Sequence, residues 1–369
     1  MKITFPHMGN VYIAIKGVLE DLNQEVILPP RCSKRTLEIG TKYSPESICL
    51  PLKINIGNYI ESIEKGADTI IIVGSNGPCR FGLYSLLEKN ILMDLGYNVD
   101  VISFDPPNGN YNLLFKNIEK ITGTKNMYQV LKKVNIGKKI LKDMDNLMDI
   151  SNKKRAHAYE KYKVDNRMNS FYQSIEYVHG SNEILNLIDN TIKDISIIEE
   201  NKEKDCLKVG IIGEIYTIIE PFVNLEIEKK LGHMGVEIEK SLTPYKWVEH
   251  HWGKGRLGIG EEVRKIKEAK PYLSTLVGGH GRETVGSAVL YAKKGFDGII
   301  HILPLNCMPE IVAQTILPTV EKDYSVPILT LIVDEMTGEA GYNTRLEAYI
   351  DLLKKRREHA NDKGILYGS

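Results

Sequence analysis

Two α/β domains, each built on a parallel sheet, are what the sequence predicts, and three observations predict them. Strand-like apolar runs alternate with helical patterns at both ends of the chain, which indicates parallel sheets with covering helices. One block recurs. Lys65-Gly66-Ala67-Asp68 leads into the apolar run Thr69–Val73, a Gly/Pro loop carrying Cys79, and a helix. Lys294-Gly295-Phe296-Asp297 leads into Gly298–Leu303, a Pro loop carrying Cys307, and a helix. Between the two copies lies a segment rich in Lys, Asn, Asp and Ile whose apolar residues recur at helical spacing only. The expected fold is therefore two Rossmann-like parallel-sheet domains related by internal duplication, with a helical insert and a C-terminal helix.

The first domain is expected at residues 1–112. It opens with a strand (Lys2–Pro6), the loop His7-Met8-Gly9-Asn10 and a helix (Val11–Leu22), then a strand at Glu25–Leu28. A helix fits Leu52–Lys65, a strand Thr69–Val73, a helix Arg80–Leu95 and a last strand Val99–Phe104. The insert and its connection span 113–205, with Met144, Leu147, Met148 and Ile184, Leu187, Ile188 marking helical faces. The second domain, 206–369, restarts the pattern: strand Leu207–Ile212, a helix running to Leu231, strand Val236–Lys240, strand Tyr272–Val277, strand Gly298–Leu303, helix Pro309–Val320, strand Ile328–Asp334 and a closing helix Asn343–Glu358.

Bulk numbers narrow the function classes. A chain of 369 residues is long for one domain. Its formal net charge of zero favours neither a nucleic-acid nor a membrane partner. No stretch is apolar for long enough to span a bilayer, and Met1-Lys2-Ile3-Thr4-Phe5 has no signal-peptide core, so a cytoplasmic location is expected. The five cysteines are an odd number and far apart, and a cytosolic chain keeps its thiols reduced, so structural disulfides are not expected. The bland reading is five small buried hydrophobes.

Three of the five resist that reading. Cys79, in Gly77-Pro78-Cys79-Arg80-Phe81-Gly82, stands between a buried strand and a helix. Cys307, in Asn306-Cys307-Met308-Pro309-Glu310, does the same, with Pro309 suited to a first helical turn. Cys49 precedes a third helix in Ser44-Pro45-Glu46-Ser47-Ile48-Cys49-Leu50-Pro51. A helix start offers backbone N–H groups and the positive end of the dipole, which favour the thiolate that ligates iron. Structural zinc shows closely spaced Cys pairs, and none occurs here. Spacing alone leaves open a nucleophilic cysteine with His280 or His301 as base. Cys206, in the charged connection Lys204-Asp205-Cys206-Leu207, reads as inert, and Cys32 as a weaker candidate for a fourth thiolate.

Together, Phe5-Pro6-His7-Met8-Gly9-Asn10, Ser44-Pro45-Glu46 with Cys49, the Cys79 loop, the Cys307 loop and Val277-Gly278-Gly279-His280-Gly281 resemble the 2-hydroxyacyl-CoA dehydratase D-component superfamily, most closely its CoA protein activase branch. The resemblance covers nearly the whole chain. It implies an iron–sulfur cluster, a [4Fe–4S] rather than a double-cubane, held by Cys49, Cys79 and Cys307 at a domain cleft. Three ligands are too few for a complete double-cubane in one chain. It implies low-potential electrons from a separate ATP-hydrolysing activator, with ferredoxin or flavodoxin upstream. It implies dehydratase- or reductase-like chemistry on a small molecule or an acyl-CoA. A single chain departs from the two-subunit dehydratases, so the alternative is a non-catalytic electron-transfer or activation partner for another enzyme. A homodimer is compatible with either.

Two further residues are expected at the site. His280, in a Gly-rich loop, is read as a proton donor or substrate contact, against a loop histidine satisfied by backbone. Glu214 follows the first strand of the second domain as His7 follows the first strand of the first, although carboxylates there are more often helix caps. No Walker-type phosphate loop occurs, in keeping with a separate ATPase. Gly253-Lys254-Gly255-Arg256 with Gly258-Ile259-Gly260 reads as a lid-like loop, and His250-His251-Trp252 before it as solvated loop.

Overall fold

The computed structural model describes residues 1–73, 79–104, 111–201, 203–252 and 258–366. The chain is α/β and divides into two compact units. The first comprises Met1–Met148, Asn166–Ser196 and Pro244–Val248, and the second Asp149–Asp165, Ile197–Thr243 and Glu249–Ser369. The helical segment read at 113–205 is shared between them.

The chain begins β1 (Lys2–Thr4), α1 (Val11–Asp21), β2 (Glu25–Val26), α2 (Lys34–Tyr43), α3 (Leu50–Glu64) and β3 (Thr69–Ile72). A 3₁₀ turn, Arg80–Leu83, runs into α4 (Tyr84–Asp94), followed by β4 (Asp100–Ser103). Four helices come next: α5 (Tyr111–Thr122), α6 (Met127–His157), α7 (Lys161–Ser174) and α8 (Gly180–Ser196). The pattern then restarts with β5 (Leu207–Gly213), α9 (Ile215–Ile219), α10 (Ile227–His233), β6 (Val236–Lys240), α11 (Pro244–Trp252), α12 (Glu261–Ala269) and α13 (Gly281–Lys293). It closes with β7 (Gly298–Pro304), α14 (Met308–Tyr324), β8 (Ile328–Val333) and α15 (Glu339–Leu366).

The two sheets have the same topology. Their strand orders are β2-β1-β3-β4 and β6-β5-β7-β8, and every pairing is parallel. Chain order therefore reverses between β1 and β3, and again between β5 and β7. Crevices at the carboxyl ends of such strands are where open α/β sheets bind ligands.

The duplication extends to single atoms. In the Lys-Gly-x-Asp blocks, Asp68 accepts the Lys2 amide at 2.8 Å, and Asp297 accepts the Lys208 amide at 2.7 Å. Each carboxylate ties the entry of its buried central strand to the neighbouring one. On one face, α3 crosses α2 so closely that a Cβ at Gly57 would meet the Thr36 carbonyl oxygen at 1.9 Å. In the second unit a Cβ at Gly286, on α13, would meet the Lys265 carbonyl oxygen of α12, also at 1.9 Å. Gly57 and Gly286 each stand eleven residues before the block's aspartate. Packing of Leu52, Ile56, Tyr59 and Ile60 on Ile70 and Ile72 builds the first core, and Val285, Ala288 and Val289 pack with Ile299, Ala313 and Leu317 in the second.

Eight of the nine expected strands form. The expected strand Tyr272–Val277 does not: its residues are irregular, and Ser274, Thr275 and Leu276 face solvent. The helix expected to run to Leu231 breaks at Pro221, which removes an amide donor, and Leu225 and Glu226 turn with φ of 54° and 55° before α10 begins. His250 and His251 belong to the last turn of α11 rather than to a loop. The lid-like Gly253–Arg256 stretch lies outside the described residues, as do Gly77 and Pro78. Among the described residues, no helix is long and apolar enough to cross a membrane.

Candidate functional site

In the first unit the site elements gather at the carboxyl ends of β1 and β3. After β1, the buried Asn58 of α3 accepts the His7 amide at 2.9 Å and donates to the Pro30 carbonyl at 2.7 Å. One side chain thus ties the loop after β1 to the loop after β2. The second loop carries Cys32, whose sulfur lies 4.0 Å from the His7 carbonyl. The His7 ring stacks on Tyr12, with centroids 4.8 Å apart.

Cys49 is the N-cap residue of α3, with extended backbone and Pro51 in the first turn. One turn on, the buried Lys53 ammonium donates to the Glu46 carbonyl at 3.1 Å, placing positive charge against the loop that leads into Cys49. Cys79 is the N-cap residue of the 3₁₀ turn, again with extended backbone. The next residue, Arg80, reaches across and donates to the Ser47 carbonyl at 2.9 Å, so the Cys49 and Cys79 loops are directly bonded. The Cys49 sulfur lies 2.7 Å from the Tyr84 hydroxyl, at the start of α4. Both half-buried thiols therefore sit at helix starts with cationic side chains nearby, conditions that favour thiolate.

In the second unit Cys307 is the N-cap residue of α14 and is buried; Pro309 lies in the first turn, as the sequence implied. Asn306 before it takes φ of 63°, a left-handed conformation that asparagine tolerates. His280 is the N-cap residue of α13. The glycines around it each have a reason. Gly278 and Gly279 have φ of 89° and 46°, and a Cβ at Gly281 would lie 2.4 Å from the Pro309 carbonyl oxygen. The first turns of α13 and α14 therefore touch, which brings His280 and Cys307 to one end of the sheet.

Glu214 caps α9 directly after β5, accepting the Tyr216 and Thr217 amides at 2.9 Å each. Burial pushes its carboxyl up to about 7; the two amides oppose this and nearby Glu310 adds to it. Glu310 is itself buried in the first turn of α14, 3.1 Å from the Thr284 hydroxyl and 3.0 Å from Nε2 of the fully buried His301. His301 is thus engaged by a carboxylate inside the core. Part of His280 reaches solvent, yet dense packing desolvates its ring; with the positive charge of His251, Lys265 and His250, this holds the imidazole down to about 3. At neutral pH His280 is a neutral ring that can make hydrogen bonds but carries no spare proton.

Cys206 stands apart from this end of the sheet. It immediately precedes β5, at the strand's amino end, and burial pushes its thiol up. None of the five cysteines forms a disulfide. Sequence reasoning missed Lys53, Tyr84, Asn58 and Glu310. For the first, the readable signal is a lysine one turn inside a helix headed by cysteine. Tyr84 meets Cys49 across 35 residues of sequence, and no local pattern announces such a contact.

No family model matches this chain, and no curated protein matches it either.

Proposed function

We propose that this chain is an iron–sulfur protein of the 2-hydroxyacyl-CoA dehydratase D-component type, receiving low-potential electrons from a separate ATP-hydrolysing activator. The observation that carries the reading is that Cys49, Cys79 and Cys307 each cap a helix at the carboxyl end of a sheet. The donor chemistry fits such a cluster: thiolate sulfur, backbone N–H groups at helix starts, and cationic Lys53 and Arg80 around two of the thiols. Cys49 and Cys79 would be ligands from the first unit, and Cys307 is the third ligand that the reading calls for. When bound, a [4Fe–4S] cluster would supply one-electron chemistry at low potential. The protein's part is to keep the thiols ionised, fix the Cys49 and Cys79 loops through Arg80, and present Glu214 and His280 as hydrogen-bonding groups. The substrate is then a small molecule or an acyl-CoA.

The neutral state of His280 favours a second reading, an electron-transfer or activation partner, because it removes the expected proton donor. Anaerobic reconstitution followed by iron and sulfide analysis and EPR after reduction tests the first claim. Brown protein with acid-labile sulfide is the expected result. Colourless, iron-free protein after competent reconstitution would sink both readings. Turnover of an acyl-CoA by activator plus ATP separates catalyst from partner.

A further inference from the structure

The Tyr84 phenol lies against a candidate ligand sulfur, that of Cys49. Its ring is 3% exposed and sits in the first unit's apolar core with Leu52, Ile56, Tyr59 and Leu92. Phe81 packs against it edge-on, with centroids 5.2 Å apart and planes at 66°. The ring is therefore fixed by its neighbours, and its hydroxyl, 2.7 Å from the Cys49 sulfur, emerges where the core ends and the thiol begins. A buried phenol needs a hydrogen-bond partner. A protonated thiol could donate to the phenol. A metal-bound thiolate has no proton, so only the tyrosine can then donate.

From this geometry we infer that Tyr84 is a positioning and tuning residue for the proposed cluster: its hydroxyl donates to the Cys49 thiolate, fixing the sulfur's direction and favouring the cluster's reduced state. The inference rests on the iron–sulfur reading. A donor on a ligand sulfur offsets part of the negative charge that reduction adds, and so raises the reduction potential.

Two measurements test it, one of them without metal. In the metal-free chain, denaturant midpoints of Tyr84→Phe, Cys49→Ala and the double variant form a cycle. The inference expects non-additivity, with the double variant losing less than the sum of the single losses. Strict additivity would overturn the contact. In anaerobically reconstituted protein, Tyr84→Phe should keep wild-type iron and sulfide per chain while its potential, read by EPR-monitored titration, moves to a more negative value. An unchanged potential with a full cluster overturns the tuning role, and so does folded Tyr84→Phe that holds no cluster. If the wild-type chain itself takes up no iron, the cluster reading and the tuning role fall together. The metal-free cycle then reports separately whether the contact is real.

Discussion

The Asn55 side-chain amide donates to Glu88 Oε1 at 3.0 Å, and both residues lie inside the first unit, Glu88 with no exposed surface. Glu88 is one helical turn beyond Tyr84 on α4, and Asn55 is on α3, the helix that Cys49 caps. Burial pushes the Glu88 carboxyl up to about 8, although the Asn55 and Tyr59 side chains pull it down. The protein therefore folds around a neutral carboxylic acid.

This fixes the sign of a pH effect. Between the ordinary carboxylate range and about 8, folded Glu88 holds a proton that the unfolded chain has released. The contribution is fully present below the unfolded value and is lost as pH rises through the folded one. One proton gives a slope of about 1.4 kcal/mol per pH unit. Urea unfolding of wild type minus Glu88→Gln should show stability falling by up to this slope from pH 5 to pH 8. A flat difference curve would show that Glu88 is ionised in the fold.

The matched helix crossings give a stability prediction. Gly57→Ala and Gly286→Ala each drive a methyl to 1.9 Å from a backbone carbonyl oxygen, which no rotamer relieves. Each should cost about 3 kcal/mol or more, the upper range for overpacking. Gly341→Ala, in the first turn of α15 with nothing within 4 Å, should be neutral or stabilise by up to about 1 kcal/mol. Equal effects at all three positions in denaturant unfolding would refute the close crossings.

Much of this architecture was legible because it is local. Strands such as Thr69–Ile72 and Gly298–Pro304 are continuous buried apolar runs bounded by Gly and Pro, and the Lys-Gly-x-Asp blocks repeat in the sequence itself. Helix α2 was missed because its sequence, Lys34–Tyr43, is polar and buries little more than Thr36 and Gly40. What it leans on is the close approach of α3 at Gly40 and Gly57, together with a capping box between Ser33 and Thr36. The box was readable; the approach was not. The placement of cysteines at helix starts was likewise legible, because Pro51 and Pro309 mark first turns. The charge state of His280 was not, because it depends on His251, His250 and Lys265 arriving from other helices.

For His280 the expected observation is an absence of titration. Desolvation and the neighbouring positive charge hold its ring neutral down to about 3. Its imidazole carbon-bound proton resonances should therefore show no step between pH 5 and pH 8. The unfolded histidine does titrate in that range, so acidification below about 6.5 should favour unfolding through this residue. A step near pH 6.5 in the folded protein would restore His280 as an acid and weaken the accessory-partner reading.

Thiol reactivity tests the helix-start argument without any metal. Thiolate is the nucleophile, so alkylation at neutral pH ranks cysteines by ionisation and access together. Cys49 and Cys79 are half-buried helix N-caps, and Lys53 and Arg80 both donate to carbonyls of the loop that leads into Cys49. Cys206 is 5% exposed at the amino end of β5, and burial pushes its thiol up. Iodoacetamide labelling of the metal-free chain, followed by peptide mass spectrometry, should modify Cys49 and Cys79 at least about tenfold faster than Cys206, since each pH unit of ionisation is worth a factor of ten. Cys307 shares the helix start but is 8% exposed, so it should label slowly in the folded chain and catch up in urea. Lys53→Met should slow Cys49 if the buried ammonium supports its thiolate. Labelling of Cys206 as fast as Cys49 would mean that the helix starts do not ionise these thiols, and the electrostatic case for them as metal ligands would fail.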